Sequence, residues 1–308
     1  MKALHKSLKK NAIRIGAFLL TGALNAYRKF RPLPCAIYFC YNQSIHHIHH
    51  SIYIAVEMSR IQKKYPVVIL STSREASEII EKELEGIPHS VIFRKVRHLG
   101  YNRIHFNVYG FALLCRLHIH KPRAIVVTDY YDNIFRQLGV ETFWTYAFHG
   151  PENRGFSHPH IRDYDLIFIP GVGELARLES KVGKLNNYII TGYSKFDYFR
   201  YHHQASLPLF KDSRPVVIYN PHFDETQSSF FDQGQELLQA LDACAKYNII
   251  FMPHPDLVRR CPKEIAKVGV SPNFILSERT RINFDYMNIA DIYITDVSSS
   301  VFEWLRFN

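Results

Sequence analysis

Three consecutive hydroxyl side chains near the end of the chain are candidates for binding a phosphate group. They belong to Ser298, Ser299 and Ser300. The apolar run 292–294 before them predicts a buried strand, and Ser300 and Glu303 have the spacing of a capping box, which predicts a helix beginning at Ser300. We expect Val301, Phe302 and Leu305 on the buried face of this helix. A polar turn between a strand and a helix N-terminus, where backbone N–H groups point outward, suits an anion.

The same turn has a plainer interpretation, in which the serines only cap the helix and Asp296 stabilises the turn. A cap needs one side-chain oxygen, most readily that of Ser300. A phosphate cradle also uses neighbouring hydroxyls and backbone amides. The two interpretations therefore predict different effects on stability and on ligand binding when single serines are replaced.

Two histidines stand where strands are predicted to end. The β-rich aromatic run 143–148 stops at His149 in a Gly-Pro turn, which leaves the imidazole at a strand end and suits a general base. The apolar run 249–252 stops at His254 between two prolines, which fix the backbone around the ring. Either histidine could instead be structural and bonded to loop backbone. Further candidate anion contacts after the first of them are Arg154, His158 and His160.

The C-terminal motif resembles the signature of a known family. The sequence TDVSSSVFEWLRFN, residues 295–308, is similar to the TDYSSVMFDF-type signature of the CDP-glycerol glycerophosphotransferase family, the teichoic-acid polymerases and primases. The matching residues are Thr295, Asp296, Ser298, Ser299 and Phe302. Val297 replaces a tyrosine of that pattern, and Glu303 replaces an aspartate.

Further segments resemble motifs of the same family, with substitutions. AFHG, at 147–150, is similar to its WHG motif, and TGYSKFD, at 191–197, is similar to its TGYPRND segment. NPHFDE, at 220–225, resembles a strand end with a proline-threonine-tryptophan motif. FMPHPD, at 251–256, resembles the second histidine motif of the family. The resemblance covers residues 143–308 and is strongest after Asn248.

The resemblance implies a transfer reaction on a two-domain glycosyltransferase-B fold. In that family the histidine at the position of His149 is taken to act as general base on the acceptor hydroxyl. His254 and the hydroxyls of residues 298–300 would then hold the charge on the pyrophosphate as CMP leaves CDP-glycerol. The other expected substrate-binding residues are Gly150, Arg154 and Asp296. Neither a metal ion nor a cofactor is expected.

The composition is that of a globular protein with a basic surface. A chain of 308 residues with 47% hydrophobic residues can bury large cores and has the length of two domains. Lys and Arg number 38 against 28 Asp and Glu, and the formal charge of +10 favours an anionic partner. We expect CDP-glycerol or another nucleotide-linked donor, a lipid-linked or glycan acceptor and an anionic membrane surface. Nucleic acid is not expected, and the oligomeric state stays open.

The first 30 residues form a basic segment with a short apolar run. The run 17–24 is far below the roughly 20 residues that span a bilayer. The segment could be a helix packed on the next domain, a basic amphipathic helix on an anionic membrane surface, or a cleaved signal peptide. Five cysteines without a CxxC pair favour a reduced, cytoplasmic chain. We therefore expect the protein in the cytoplasm, peripheral on the inner face of the cell membrane.

From Ala36 onwards strand-like and helix-like segments alternate, which predicts parallel sheets with helices on both faces. We expect an α/β fold with two Rossmann-like domains and a ligand cleft between them. Residues 31–190 would be the acceptor-side domain and residues 191–308 the nucleotide-binding domain. Family members continue beyond the segment that matches residues 295–308, so the second domain is expected to be truncated.

Four histidines follow the first predicted strand: His46, His47, His49 and His50. Pairs three or four residues apart share a helical face and could bind a metal ion, but the sequence nearby offers no acidic or cysteine third ligand. At the carboxyl end of a strand we instead expect these histidines to contact phosphate.

Three functions remain open. The first is a glycerophospho- or related phosphopolyol transferase of cell-surface polymer synthesis. The second is a nucleotide-sugar glycosyltransferase or epimerase of the same fold. The third is a non-catalytic, membrane-associated binding protein, which the expected truncation favours. The paired His149 and His254 favour an enzyme.

Overall fold

The computed structural model describes residues 35–41, 45–71, 73–95, 122–128, 142–148, 159–202, 209–268, 271–277, 283–296 and 298–307. The described residues form two compact units, one ending at Tyr201 and the other beginning at His202. The basic segment 1–30 and the helix expected near residues 107–119 lie outside the described residues.

The first unit is built on a parallel sheet. Its described strands are β1 (Ile37–Tyr41), β2 (Val67–Ser71), β3 (Ile92–Lys95), β4 (Ala124–Val127), β5 (Phe143–Ala147), β6 (Leu166–Ile169) and β7 (Tyr188–Ile190). Their order is β3-β2-β1-β4-β5-β6-β7. Every pairing in this order is parallel, as the alternation of strands and helices predicts.

Helices cover both faces of this sheet. They are α1 (Ile52–Ile61), α2 (Arg74–Leu84), α3 (Val172–Val182) and α4 (Tyr198–Tyr201), with short 3-10 helices at Ile45–His50, Pro159–Asp163 and Ser194–Asp197. Ser73 caps α2 by accepting the N–H of Ala76 at 3.0 Å. Tyr38 and Cys40 of β1 enter one apolar core, whereas Phe39 and Tyr41 enter another, because successive side chains of a strand point to opposite faces.

Residues 194–201 pack on the first unit. The ring of Tyr201 stacks on Tyr53 of α1 with centroids 5.7 Å apart, and its hydroxyl donates to Glu57. The hydroxyl of Ser194 donates to the backbone carbonyl of His50. Because of these contacts the first unit ends at Tyr201. The sequence alone suggests a division at residue 190.

The second unit contains a smaller parallel sheet. Its described strands are β8 (Val216–Asn220), β9 (Asn248–Phe251), β10 (Phe274–Leu276) and β11 (Ile292–Thr295), in the order β10-β9-β8-β11. A π-helix at Phe230–Gly234 precedes α5 (Gln235–Ala243), and the other described helices are α6 (Pro255–Arg260), α7 (Pro262–Ala266), α8 (Phe284–Asn288) and α9 (Ser300–Trp304). Tyr219, Phe251 and Leu257 lie in the apolar core of this unit and are fully buried.

The last strand and helix differ from expectation. β11 is expected to be buried, yet Ile292 is 39% exposed, because β11 is the edge strand of the described sheet. The prediction of which face of α9 is buried is also wrong, since Phe302 and Leu305 are exposed and Glu303 is buried.

Contacts of the Trp304 ring explain the orientation of α9. The ring stacks on Tyr293 of β11 at 5.5 Å, and its N–H donates to the carbonyl of Ala290. Ser300, Glu303 and Trp304 share one helical face because they are three and four residues apart, so the side of the helix that carries Trp304 also buries Glu303.

Within the described parts of the chain, no helix is both long enough and apolar enough to cross a membrane.

Candidate functional site

The polar side chains of the second unit gather at the carboxyl ends of three adjacent strands. β9, β8 and β11 are neighbours and parallel, so their carboxyl ends meet at one edge of the sheet, where open α/β sheets bind ligands. Asn220 is the last residue of β8. His254 follows β9, and Asp296 with the three serines follows β11. The structure therefore brings His254, Asp296 and the three serines to the same edge of the sheet.

Asn220 connects these three strand ends through its side chain. The side chain is 8% exposed. Its amide nitrogen donates to the backbone carbonyl of Met252, which determines which way the amide faces. Its oxygen accepts hydrogen bonds from the hydroxyl of Ser300 at 2.6 Å and from that of Tyr293 at 3.1 Å. Asn220 is therefore the polar centre of this edge.

The bond to Asn220 sets the direction of the contact between two serine hydroxyls. A hydroxyl carries one hydrogen, and that of Ser300 is donated to Asn220. In the 2.9 Å contact between the hydroxyls of Ser298 and Ser300, Ser298 is therefore the donor. The oxygen of Ser298 also accepts the backbone N–H of Ser300 at 3.3 Å. In this arrangement neither hydroxyl has a hydrogen left for a phosphate oxygen.

The prediction of a capping box formed by Ser300 and Glu303 is wrong. Ser300 is the first helical residue of α9, the N-cap position belongs to Ser299, and the side chain of Ser299 makes no capping hydrogen bond. The side chain that satisfies a backbone N–H at this helix end is that of Ser298. Ser299 stands outside the hydroxyl chain that ends at Asn220, so it is the serine best able to serve a ligand.

Asp296 holds the loop that follows β8. Its carboxylate accepts the backbone N–H of His222 at 2.8 Å and that of Ser229 at 3.2 Å. These bonds tie loop 221–229 to the end of β11. The contact with substrate expected for Asp296 stays a prediction, and the observed bonds give this residue a positioning role.

His222, which none of the candidate motifs indicates, is a neighbour of His254. The Nδ1 atom of His222 accepts the N–H of Asp224 at 3.1 Å, and that of His254 accepts the N–H of Asp256 at 3.1 Å. The ring centroids are 5.5 Å apart. Because Nδ1 accepts in both, each neutral ring carries its hydrogen on Nε2. The sequence signal is the pattern P-H-x-D, which occurs after both strands.

Two tyrosines at this edge, the buried Tyr219 and the half-buried Tyr293, stay neutral at physiological pH. Burial raises the pKa of Tyr219 to about 12, and the negative charge of Asp296 adds to the shift. Burial also raises the pKa of Tyr293, to which the nearby Glu303 carboxylate contributes. Both phenols therefore act as hydrogen-bond donors or acceptors and not as charged groups.

The remaining candidate residues lie elsewhere in the chain. His149, Gly150, Arg154 and His158 are outside the described residues, so the general base and its neighbours stay predictions. The strand that should lead to His149 is present as β5, and its residues from Trp144 onwards are buried. Of His160 only the backbone is described, in the 3-10 helix Pro159–Asp163.

The histidine cluster of the first unit is largely buried. Residues 45–50 form the 3-10 helix after β1, and His47, His49 and His50 are buried. The Nε2 atom of His49 lies 3.2 Å from a carboxylate oxygen of Glu83, and the ring of His50 packs against Tyr193 at 5.6 Å. This burial argues against the expected phosphate contacts. The described residues also contain no group of three or more His, Cys, Asp or Glu side chains placed to hold a metal ion.

Solved structures share the fold of this chain. UDP-GlcNAc 2-epimerase from Neisseria meningitidis is 14% identical, with a TM-score of 0.59 over 86% of this chain and 78% of that chain. The corresponding Rickettsia bellii epimerase is 13% identical, with a TM-score of 0.58 over 88% and 76%. A ugt transferase from Siraitia grosvenorii is 10% identical, with a TM-score of 0.54 over 89% and 80%. At these identities the likeness shows the fold alone, which is the expected Rossmann-like glycosyltransferase-B type.

Sequence comparison finds one family model that is similar to the C-terminal part of the chain. No curated protein matches the sequence significantly. Residues 183–308, less than half of the chain, match the family model described as CDP-Glycerol:Poly(glycerophosphate) glycerophosphotransferase. This segment includes β8, β9 and β11 and all the polar residues at their carboxyl ends. The resemblance noted from the sequence is thereby supported, since residues 183–308 are similar to the CDP-glycerol:poly(glycerophosphate) glycerophosphotransferase family.

Proposed function

We propose that this protein transfers glycerol phosphate, or a related polyol phosphate, from CDP-glycerol to the hydroxyl of a membrane-associated acceptor. The observation that carries the proposal is the family match of residues 183–308. It is supported by the polar cluster of Asn220, His254 and Asp296 at the ligand-binding edge of the second sheet. The reaction releases CMP and serves the synthesis of a cell-surface polymer such as teichoic acid.

The chemical step is a displacement at phosphorus. The acceptor oxygen forms a bond to the β-phosphorus of CDP-glycerol, and the bond from that phosphorus to the bridging oxygen breaks. CMP leaves with the electron pair of the broken bond. The proton of the acceptor hydroxyl passes to His149, the general base in this proposal. Positioning of the two substrates and stabilisation of phosphate charge supply most of the rate.

The geometry allows His254 to donate a hydrogen bond to the phosphate of the leaving group. Its Nδ1 atom is engaged by the N–H of Asp256, so Nε2–H is the polar group it offers to a phosphate oxygen. A hydrogen bond to a charged phosphate is worth about 1.5 to 3 kcal/mol. Ser299 is the hydroxyl assigned to the same ligand, with Gly150 and Arg154 as further contacts.

The acceptor in this proposal is lipid-linked or a glycan at the membrane surface. The basic composition of residues 1–30 and the formal charge of +10 support attraction to anionic lipid on the cytoplasmic side. The protein would act as a peripheral enzyme that meets its soluble donor in the cytoplasm and its acceptor at the bilayer.

The test measures CMP release from CDP-glycerol with a lipid-linked acceptor present. His149→Ala should lower turnover by about 10²-fold or more with nearly unchanged donor binding, as expected for loss of proton transfer. His254→Asn removes the second imidazole but keeps the start of α6, because asparagine is a good N-cap residue. It should weaken donor binding.

UDP-GlcNAc serves as the competing substrate in the same assay. Turnover of UDP-GlcNAc without turnover of CDP-glycerol would replace the proposal by a nucleotide-sugar enzyme. Tight binding of CDP-glycerol without CMP release from any acceptor would indicate a binding protein.

A further inference from the structure

Two neighbouring strands of the second unit end in the same four-residue pattern. β8 is followed by Pro221, His222, Phe223 and Asp224, and β9 with Met252 is followed by Pro253, His254, Pro255 and Asp256. The two strands are parallel, with Tyr219 opposite Phe251. Beyond them the backbone N–H of His254 donates to the carbonyl of Pro221 at 3.1 Å. The two turns therefore lie side by side, with the two histidines opposite each other.

The two turns hold their imidazoles in the same way. Each Nδ1 atom accepts the backbone N–H of the aspartate two residues later, at 3.1 Å in both cases. A neutral imidazole with an accepting Nδ1 carries its hydrogen on Nε2, on the side of the ring away from its own turn. Neither His222 nor His254 is thereby arranged to accept a proton, and both are arranged as donors.

The two rings differ in exposure. His222 is 1% exposed, whereas His254 is half-buried. The ring of Phe223 lies 4.2 Å from His222 and 4.6 Å from His254, measured between centroids. A ligand can therefore reach His254, while His222 and Phe223 pack against it and restrict its orientation. The guanidinium of Arg260 lies 4.7 Å from the Phe223 ring and adds a positive charge to the cluster.

We propose that His222 and His254 form a paired-imidazole site for the diphosphate group of the ligand. His254 donates its Nε2–H to a phosphate oxygen, and His222 is a positioning residue that fixes the His254 ring. The proposal rests on the proposed function, since it takes a nucleotide-linked donor as the ligand. It adds a second histidine, His222, to that site as the residue that positions His254.

The test uses three variants of the full chain. His222→Asn keeps an oxygen for the N–H of Asp224, because asparagine forms the same local turn, but it removes the ring beside His254. His222→Ala removes both the turn contact and the ring. His254→Asn keeps the helix cap and removes the ligand contact. NMR of the ring nitrogens reports the tautomers, and calorimetric titration with CDP and with inorganic pyrophosphate reports binding.

We expect both rings of the parent protein in the Nε2–H tautomer at about pH 8, above the ordinary histidine pKa. His254→Asn should weaken binding of CDP and pyrophosphate about tenfold or more. His222→Asn should weaken both about two- to tenfold, within the range typical of coupling between residues in contact, and should lower the melting temperature because it removes a buried ring. It should also shift the nitrogen signals of His254. His222→Ala should lower the melting temperature further, because it also removes the acceptor for the N–H of Asp224.

Either of two results would overturn the paired site. One is an Nδ1–H tautomer for His254, and the other is a His222→Asn variant that binds both anions as tightly as the parent protein. A different result would contradict the proposed function alone. If the parent protein binds pyrophosphate but neither CDP nor CDP-glycerol, the paired histidine site stands and CDP-glycerol is rejected as the donor substrate. A parent protein that binds none of these anions would contradict both proposals.

Discussion

The hydroxyl of Ser300 donates a 2.6 Å hydrogen bond to the side-chain oxygen of Asn220, 80 residues earlier in the chain. This bond joins the first residue of α9 to the last residue of β8. It also determines that the hydroxyl of Ser298 donates to Ser300. The three consecutive serines, which look alike in the sequence, therefore have different roles.

The serines should separate into two classes when each is replaced by alanine. Ser298→Ala and Ser300→Ala should each lower the free energy of unfolding by about 1 kcal/mol, because each removes part of the hydroxyl chain to Asn220. Ser299→Ala should leave the melting temperature unchanged and weaken CDP binding by about 1.5 to 3 kcal/mol. Thermal unfolding and calorimetric titration measure the two effects. Unchanged CDP affinity in Ser299→Ala would reject this serine as a ligand contact.

Asn220 should be the most sensitive polar residue at this edge of the sheet. Asn220→Asp replaces the amide donor to the Met252 carbonyl by a buried charge, so it should cost about 3 kcal/mol of unfolding free energy or more. Tyr293→Phe is the matched control, since it removes one donor to the same oxygen and should cost about 1 kcal/mol. Urea unfolding of both variants measures the difference. Equal losses in the two variants would contradict the central role of Asn220.

Several strands of both units could be predicted from the sequence because they are short apolar runs bounded by turn residues. Val216–Asn220 and Asn248–Phe251 are examples whose positions follow directly from the pattern. The orientation of α9 could not be predicted, because a five-residue helix contains too few turns for an apolar face to be read. Stacking of Trp304 on Tyr293 sets that orientation, and such a contact leaves no local pattern.

The site residues that belong to a sequence motif could be predicted. Those whose role depends on contacts with residues far along the chain could not. His254 and the serines follow strands, and parallel strands bring such residues to one edge. Asn220 looks like an ordinary strand-end residue, since its partners Met252, Tyr293 and Ser300 lie far along the chain. His222 could have been found, because its P-H-x-D pattern is repeated at His254.

The full chain should bind anionic vesicles through its first 30 residues. The attraction between Lys or Arg and anionic headgroups is screened by salt, so co-sedimentation should require anionic lipid and weaken as ionic strength rises. Joint replacement of Lys9, Lys10 and Arg14 by glutamine should weaken binding. The same replacement of Lys63, Lys64 and Lys82, three lysines of the first unit, serves as the charge control. Equal binding to neutral vesicles, or no binding to either kind, would contradict the expectation.

Ionisation of Tyr219 should lower the free energy of unfolding of the second unit at alkaline pH. Its hydroxyl forms a 2.8 Å hydrogen bond with that of Ser229. Burial raises its pKa from 10.0 to about 12, with a contribution from the Asp296 charge. A pKa that is higher in the folded than in the unfolded state means that folding favours the neutral phenol. The resulting stabilisation is fully present below about pH 10 and is lost as the pH rises towards about 12.

Urea unfolding at a series of pH values from about 8 to about 12 tests this dependence against the Tyr219→Phe variant. The parent protein should lose stability across the upper part of that range. The variant should lose less, by an amount of the order of 1 kcal/mol, because one titrating phenol is gone. Some loss should remain in the variant, since burial also raises the pKa of Tyr293 in the same sheet. Identical pH profiles for the two proteins would show that Tyr219 titrates alike in the folded and unfolded states.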